Sequence, residues 1–280
     1  MNQDLIEINK LSLNIGKKTV LDSIDLKIKQ GESILIAGSN GAGKTTFIKC
    51  LAGIIFPDKG TIEYTGGLTK EKIGFISDQV SLFENWSLKK GIEFHKHIFK
   101  IRDFDFSLIE KLKLNLSTKI KNLSAGERVL YHLSLLLAQK PDLLLVDEII
   151  HTIDPYLRDQ FLEAVIGLMD ECQSTVIMIN HTFSEVEKIP ERLLVMEEGT
   201  FILDESSETL RHRVKKIIAA EKIKPELPCI FTKETDFGSE HFIYPFEEDF
   251  RSSFDYEFLD INLTEIMKAF IGGHYVEKRI

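Results

Sequence analysis

A glycine-rich turn with one lysine and two threonines is the stretch of this sequence best equipped for chemistry. It reads Gly38-Ser39-Asn40-Gly41-Ala42-Gly43-Lys44-Thr45-Thr46 and meets the spacing G-x-x-x-x-G-K-T in full. Such turns present backbone amides to phosphate, and a helix that follows adds the positive end of its dipole. We expect Lys44 to reach the β- and γ-phosphates and the Thr45 hydroxyl to bind Mg²⁺. The spacing therefore predicts a P-loop that binds a nucleoside triphosphate.

The residues on either side of this turn predict the elements that a phosphate site needs. Residues 33–37 form a short apolar run typical of a buried strand, and apolar residues recur at helical spacing over residues 47–52. A glycine follows at position 53, where a helix commonly ends. The turn is thus predicted to lie between a buried strand and the start of a helix.

A second apolar strand ends in two carboxylates. Residues 143–146 are all leucine or valine, and Asp147 and Glu148 follow them directly. Ligands of an open α/β sheet bind at the carboxyl ends of its strands, so these acids are expected beside the P-loop. Asp147 is predicted to hold the Mg²⁺ shell, and Glu148 to polarise the attacking water. The pattern is weak by itself, because many buried strands end in an acid, and it gains its meaning from the P-loop.

A third motif, Leu123-Ser124-Ala125-Gly126-Glu127-Arg128, precedes an apolar-faced helix predicted over residues 129–139. A serine followed three residues later by a glutamate predicts a capping box at a helix start. A cap does not explain why the motif lies one helix ahead of the acidic strand.

In this order and at these separations the three motifs resemble the nucleotide-binding domain of an ATP-binding cassette (ABC) protein, over about residues 4–204. The resemblance implies an ATPase that uses ATP and Mg²⁺. It makes Ser124, Gly126 and Glu127 signature residues that contact the nucleotide of another subunit. It also makes Asp154 the D-loop aspartate and His181 the switch histidine.

The sequence departs from the family pattern at several positions. Ile15 stands where the family usually has an aromatic residue that stacks on adenine, so it could supply only apolar contact. The glutamine-loop position falls on Asp78 or Gln79, and either could reach Mg²⁺ and the water. Ala125 and Ile149 replace a glycine and a proline usual in the family. None of these changes removes a group required for hydrolysis, so the site is expected to be active.

The order of predicted elements indicates an α/β fold. We expect a P-loop NTPase sheet with an antiparallel β edge, a helical insertion that carries the signature motif, and a small C-terminal module. The predicted division is an ATPase domain over residues 1–205, with the insertion at about 81–140, and a module over residues 206–280. Within that module, residues 207–222 predict a charged helix. Residues 260–273 resemble the closing helix of export-type ATP-binding subunits.

Composition and charge narrow the partners and the compartment. The formal net charge of −9 argues against a nucleic-acid partner, whose phosphates would need a basic face. The sequence has no leader-like apolar core near residue 1 and no uncharged apolar run long enough to span a bilayer. We therefore expect a cytoplasmic protein. The three cysteines, at positions 50, 172 and 229, are predicted to be reduced core or near-core thiols.

The resemblance implies a head-to-tail homodimer, or a pair with another ABC subunit, that holds ATP at its interface. We expect the subunit to energise a separate membrane permease, to lie on the inner face of the membrane, and to support export. Residues 81–99 are the candidate dock for that permease, because they carry many large apolar side chains; Trp86 is the expected exposed member. The alternative is a soluble ABC ATPase that acts on a macromolecular complex.

Overall fold

The computed structural model of the chain describes residues 3–77, 83–150, 153–180, 183–187, 189–220, 223–235 and 238–277, with backbone alone over residues 273–277. Its strands are β1 (Asp4–Ile15), β2 (Lys18–Lys29), β3 (Ser33–Gly38), β4 (Lys59–Tyr64), β5 (Ile73–Ser77), β6 (Leu143–Asp147), β7 (Thr175–Ile179), β8 (Arg192–Glu197), β9 (Thr200–Ser206), β10 (Lys215–Ala219), β11 (Cys229–Thr235) and β12 (Gly238–Ile243). Its α-helices are α1 (Lys44–Leu51), α2 (Leu88–Ile98), α3 (Ser107–Lys111), α4 (Ala125–Gln139), α5 (Pro155–Cys172), α6 (Ser207–Arg213), α7 (Phe250–Ser253) and α8 (Leu263–Glu277).

A six-stranded sheet in the order β5-β6-β7-β3-β8-β9 forms the centre of the fold. Its neighbours pair in parallel except β8 and β9, which are antiparallel. Every residue of β3, β6 and β7 is buried, as the continuous apolar runs predict for strands covered on both faces. The carboxyl ends of these three strands meet at one edge, where the predicted chemistry lies.

Side chains alternate between the two faces of this sheet. In β3, Ile34 and Ile36 join a core shared with α1 and the antiparallel sheet β2-β1-β4. Leu35 and Ala37 join the opposite core, which α4, α5 and α8 cover. The predicted antiparallel edge is therefore present as a separate three-stranded layer.

The helical insertion has its own small core between α2, α3 and α4, which includes Leu88, Ile92 and Tyr131. Helices α2 and α3 and the first part of this core come from the stretch predicted as a helical insertion. Helix α4 joins this core to the central sheet.

The prediction of a charged helix over residues 207–222 is wrong over residues 214–220, and residues 221 and 222 lie outside the described residues. Helix α6 ends at Arg213, and Lys215–Ala219 forms β10 in the sheet β10-β12-β11. Val214 and Ile217 are buried on either side of Lys215, which favours a strand between two cores over an exposed helix. The predicted C-terminal helix is present as α8, and its residues Ile266, Met267 and Phe270 belong to the same core cluster as α4 and α5.

In the part of the chain that the structure describes, no helix has both the length and the apolar content that crossing a bilayer requires.

Candidate functional site

The P-loop keeps the backbone shape that only glycine permits at two places. A Cβ at Gly38 would lie 2.1 Å from the Met196 carbonyl oxygen, and one at Gly43 would lie 2.6 Å from that of Val20. Gly43 has a φ of 110° and precedes α1 with no side chain that caps the helix. Among the described residues, no side chain caps the first amides of α1, and this is the arrangement that an anion at a helix N-terminus would complete.

The Lys44 side chain is buried against the P-loop that precedes it. Its side chain is only 4% exposed, and its ammonium donates to the carbonyl oxygens of Gly38 and Ser39, each at 3.0 Å. Burial lowers the pKa of Lys44, while the nearby charges of Glu148 and Asp147 oppose that shift. The ammonium is thus held among oxygen acceptors at the mouth of the turn, where phosphate oxygens would replace the carbonyls.

The acidic strand end lies next to this lysine, as the sequence predicts. Asp147 accepts a hydrogen bond from the Thr45 hydroxyl at 3.0 Å and is itself buried. Glu148 Oε1 lies 3.8 Å from Lys44 Nζ. Two elements far apart in sequence, the start of α1 and the end of β6, therefore bring a hydroxyl, two carboxylates and an ammonium into one group.

Glu148 owes its position to an uncommon backbone turn. Its φ is 50°, in the left-handed region that non-glycine residues seldom adopt. Its N–H donates to the Ile179 carbonyl oxygen at 3.1 Å, which ties the turn to the end of β7. A strained residue held by its surroundings is a common feature of functional sites, and here the strain places the predicted general base.

The Thr45–Asp147 pair suits Mg²⁺. This ion binds proteins through one or two carboxylates and completes its shell with water and substrate phosphates. Among the described residues there is no cluster of three or more His, Cys, Asp or Glu side chains that could hold a metal by themselves. One hydroxyl and one carboxylate from the protein, with water and phosphate oxygens as the remaining ligands, fit that mode of binding.

The signature turn, which we define as residues 124–126, begins α4. Ser124 Oγ accepts from the Glu127 N–H at 3.2 Å, and the Ser124 N–H donates to Glu127 Oε2 at 2.8 Å, so the predicted capping box is present. Ser124 and Ala125 are exposed. Gly126 is buried, and a Cβ there would lie 2.6 Å from Leu157 Cδ1. A larger residue at 126 would therefore displace the Leu157 side chain of α5 within the same chain, a contact that the motif alone does not reveal.

The remaining predicted residues lie apart from this group or outside the described residues. Asp154 caps α5 through a 3.1 Å bond from the Leu157 N–H and is exposed. Ile15, at the end of β1, is 58% exposed. Asp78, Gln79 and His181 lie outside the described residues. Their neighbours in sequence are placed, because Ser77 and Ile179 end the two strands that flank Asp147 in register.

Of the candidate dock over residues 81–99, residues 81 and 82 lie outside the described residues, and the rest carries an exposed aromatic surface, defined as Phe83, Trp86 and Phe94. The Phe83 and Trp86 rings stack at 4.1 Å, and Phe94 meets both rings edge-on. Phe83 is 56% and Phe94 42% exposed, whereas Trp86 is half-buried. Trp86 is therefore not the most exposed member, contrary to the sequence prediction, because its indole packs between its two aromatic neighbours.

The cysteines differ from one another in exposure. All three are free thiols; Cys50 is buried, Cys172 half-buried and Cys229 exposed. Burial raises the pKa of the Cys50 thiol to about 11. The prediction of a core or near-core position is wrong for Cys229, which lies on the outer strand β11.

Comparison with known proteins places the chain among ABC transporter subunits. The ABC transporter family matches residues 21–151. The linearmycin resistance ATP-binding protein LnrL of Bacillus subtilis is 30% identical over 217 residues, which cover 71% of this chain and 68% of LnrL. The taurine import ATP-binding protein TauB of Jannaschia is 32% identical over 65% of this chain and 72% of TauB. The Nod factor export ATP-binding protein I of Paraburkholderia xenovorans is 28% identical, covering 73% and 71%.

Solved structures agree on the fold. An ATP-binding subunit of an ABC transporter superposes with a TM-score of 0.67 at 20% identity, covering 74% of this chain and 92% of that one. A dimeric ATP-binding cassette bound to ADP and Pi superposes with a TM-score of 0.62 at 21% identity, covering 72% and 98%.

Proposed function

This chain belongs to the family of ABC transporter ATP-binding proteins and is an ATPase, and from that premise we propose that it energises a separate membrane permease by hydrolysing ATP between two subunits. The observation that carries the proposal is the group formed by Lys44, Thr45, Asp147 and Glu148 at one edge of the sheet. The proposed sites of ATP and Mg²⁺, and the role of each residue, follow from that geometry.

The residues divide the work of hydrolysis between binding and activation. Lys44 would exchange its two carbonyl partners for phosphate oxygens, with no large movement of the loop. Thr45 and Asp147 would hold Mg²⁺, which supplies charge neutralisation on the phosphates when bound. Glu148, the carboxylate beside Lys44, would accept a proton from the attacking water. Asp78 or Gln79, and His181, would complete the site from the neighbouring strand ends.

The exposed signature turn supports a site completed by a second subunit. Ser124 bonds to Glu127 of its own cap rather than to the P-loop, and Ser124 and Ala125 are exposed. A helix N-terminus attracts negative charge, so α4 could present its first amides to the γ-phosphate held by a partner. We propose a head-to-tail pair in which the signature turn covers the partner's nucleotide, with Asp154 near the same interface and Ile15 beside the base.

The aromatic surface supports the permease contact. Soluble proteins seldom leave several large aromatic side chains exposed together unless a partner covers them. We propose that a permease segment binds there, on the cytoplasmic face of the membrane. A double variant, Phe83→Ala with Phe94→Ala, should abolish co-purification with the permease, whereas Phe56→Ala, at an even more exposed phenylalanine elsewhere, should not. Undiminished co-purification of the double variant would count against this dock.

The direction of transport is proposed as export, because residues 260–273 resemble the closing helix of export-type subunits. The relatives include several proteins named for import, such as TauB, as well as the Nod factor export protein. Transport assays in vesicles that contain the subunit and its permease would decide the direction.

Replacing the proposed general base tests the hydrolytic role. Glu148→Gln keeps the size and shape of the side chain but removes the basic carboxylate, so turnover should fall by roughly 10²–10⁴. ATP affinity should persist, and the uncleaved nucleotide should favour the paired form in size-exclusion chromatography. Glu63→Gln, on the exposed face of β4, is the matched control and should retain full activity. Near-normal turnover of Glu148→Gln would give Glu148 another role.

A further inference from the structure

The aromatic surface is joined to the signature turn by a backbone ladder. Residues 84–89 run beside residues 116–121, and the Lys121 and Ile120 N–H groups donate to the Glu84 and Trp86 carbonyl oxygens, each at 2.9 Å. The Leu88 N–H donates in the other direction, to the Thr118 carbonyl oxygen at 3.0 Å. Only two residues separate Lys121 from Ser124. The chain that carries the aromatic side chains is thus paired with the chain that leads into the signature turn.

Two side chains of α4 reinforce this ladder. Arg128 Nη1 lies 3.4 Å from Glu84 Oε1, and the Arg128 N–H donates to the Ser124 carbonyl oxygen at 3.0 Å. One turn further along, Tyr131 is fully buried, and its hydroxyl donates to the Leu88 carbonyl oxygen at 3.0 Å. The Arg128–Glu84 and Tyr131–Leu88 contacts both run from α4 to the segment that leads into α2.

Gly91 fixes the register of α2 on α4. A Cβ at this position would lie 2.2 Å from Tyr131 Oη and 3.4 Å from Tyr131 Cζ. Only glycine therefore lets α2 approach closely enough for the hydroxyl to reach the Leu88 carbonyl oxygen. The interior glycine of a helix, which costs stability, is here the condition for a hydrogen bond between two helices.

We propose that Arg128 and Tyr131 are positioning residues that couple the aromatic surface to the signature turn, an inference that rests on the function proposed above. The ladder, the ion pair and the Tyr131 hydrogen bond join the two sites, so a shift at one site alters the contacts at the other. A displacement of the aromatic surface is then transmitted to Ser124, and engagement of Ser124 by nucleotide is transmitted back, because coupling between two binding sites is reciprocal. The exposed Arg128–Glu84 ion pair contributes little to stability, so its proposed role is to hold α4 in position against residue 84.

The chain carries its own reporter of this coupling. Trp86 is the only tryptophan, and its indole stacks on Phe83 with Lys90 Nζ 4.4 Å from the ring centre. Its fluorescence therefore reports on the packing of the aromatic surface without any label. The reporter lies in the aromatic surface and makes no contact with the P-loop group described above.

The experiment follows Trp86 emission of the Glu148→Gln protein as ATP and Mg²⁺ are added, with light scattering to record pairing. The proposal expects an emission change that accompanies pairing and is absent with ADP. Adding Glu84→Gln and Tyr131→Phe together should remove most of that change while ATP affinity by calorimetry stays the same. Glu7→Gln, which breaks the ion pair with Lys27 in the antiparallel sheet, is the matched control and should leave the change intact.

Gly91 supplies a second test of the contact between α2 and α4. Gly91→Ala should diminish the emission change, because the new methyl group meets Tyr131 Oη. Combining it with Tyr131→Phe removes that oxygen and should restore the signal to the level of Tyr131→Phe alone. Absence of this rescue would overturn the role of Tyr131.

Two further outcomes separate this inference from the proposed function. Pairing with no change in Trp86 emission, or an undiminished change in the Glu84→Gln and Tyr131→Phe protein, would overturn the coupling and leave the ATPase mechanism standing. Failure of the Glu148→Gln protein to pair at all would remove both.

Discussion

At the scale of single residues, the site depends on the oxygen acceptors around the buried Lys44 ammonium. Lys44 is surrounded by two carbonyl oxygens and a carboxylate, in a position that burial alone would make unfavourable for a charge. The glycines at 38 and 43 permit that arrangement by letting the backbone pass close to the Met196 and Val20 carbonyl oxygens. The proposed phosphate-binding ammonium and the proposed general base, Glu148, thus lie side by side.

Removing the ammonium tests whether it binds phosphate. Lys44→Ala should weaken ATP binding by about tenfold to a hundredfold, the scale of one or two hydrogen bonds to a charged group. Titration calorimetry measures the loss directly, and Lys49→Ala, a half-buried lysine later in α1, is the control that should bind normally. Equal affinities for Lys44→Ala and the unaltered protein would contradict the role assigned to the P-loop.

At the scale of elements, the contact between α2 and α4 combines apolar packing with buried polar atoms. His95 Nε2 and His132 Nδ1 are both buried without a hydrogen-bond partner among the described residues. Burial lowers the pKa of His132 to about 4, and the neighbouring His95 adds a smaller effect in the same direction. The helical insertion therefore contains a histidine that the folded state keeps neutral.

This histidine makes stability depend on pH in a defined window. The unfolded chain binds a proton on His132 near its ordinary pKa of about 6.5, whereas the folded chain does so only near 4. Stability is therefore complete above pH 6.5 and falls as the pH drops towards 4, by about 1–3 kcal/mol. Urea unfolding at several pH values should show this slope, and the slope should become shallower in His132→Leu, because His95 and His241, whose pKa values are also lowered, keep their smaller share. His97→Gln, at an exposed position of α2, should keep the slope; the same slope in all three proteins would assign it to other groups.

At the scale of the whole molecule, the C-terminal residues share the core of the ATPase sheet. Helix α8 contributes Ile266, Met267 and Phe270 to the cluster that α4 and α5 also form. The Leu263 N–H donates to Glu187 Oε1 at 3.1 Å, and Glu187 lies six residues after His181 in the sequence. Lys216 adds ion pairs to Glu240 and Glu265. The proposed division at residue 205 therefore crosses a continuous apolar core.

Two isoleucines distinguish a shared core from an independent module. Ile266→Ala should destabilise the protein by about 2–5 kcal/mol, because Ile266 is fully buried. Ile218→Ala, at a residue 57% exposed, should change stability by less than about 0.5 kcal/mol. A single urea transition that shifts as a whole in Ile266→Ala would show one cooperative unit. A separate, minor transition that alone responds would instead support an independent module over residues 206–280.

The sequence by itself determined the family, the P-loop, the acidic strand end and most elements of the ATPase sheet. These features are local: a glycine-rich turn, an apolar run or a capping box owes its form to residues close together in the chain. That is why Lys44, Asp147 and Glu148 could be named before their contacts were known. The C-terminal helix α8 was expected from a different kind of signal, the resemblance of residues 260–273 to the closing helix of export-type subunits.

Only the tertiary structure decided the features that arise between distant segments. The strand at β10 overrode a helical pattern because it pairs with β12 and packs between two cores. Trp86 is half-buried because Phe94, a residue of the next helix, covers it. Gly126 and Gly91 lie against side chains of α5 and α4, and no motif names those partners. Contacts of this kind depend on which surfaces meet, and that is settled only when the whole chain packs.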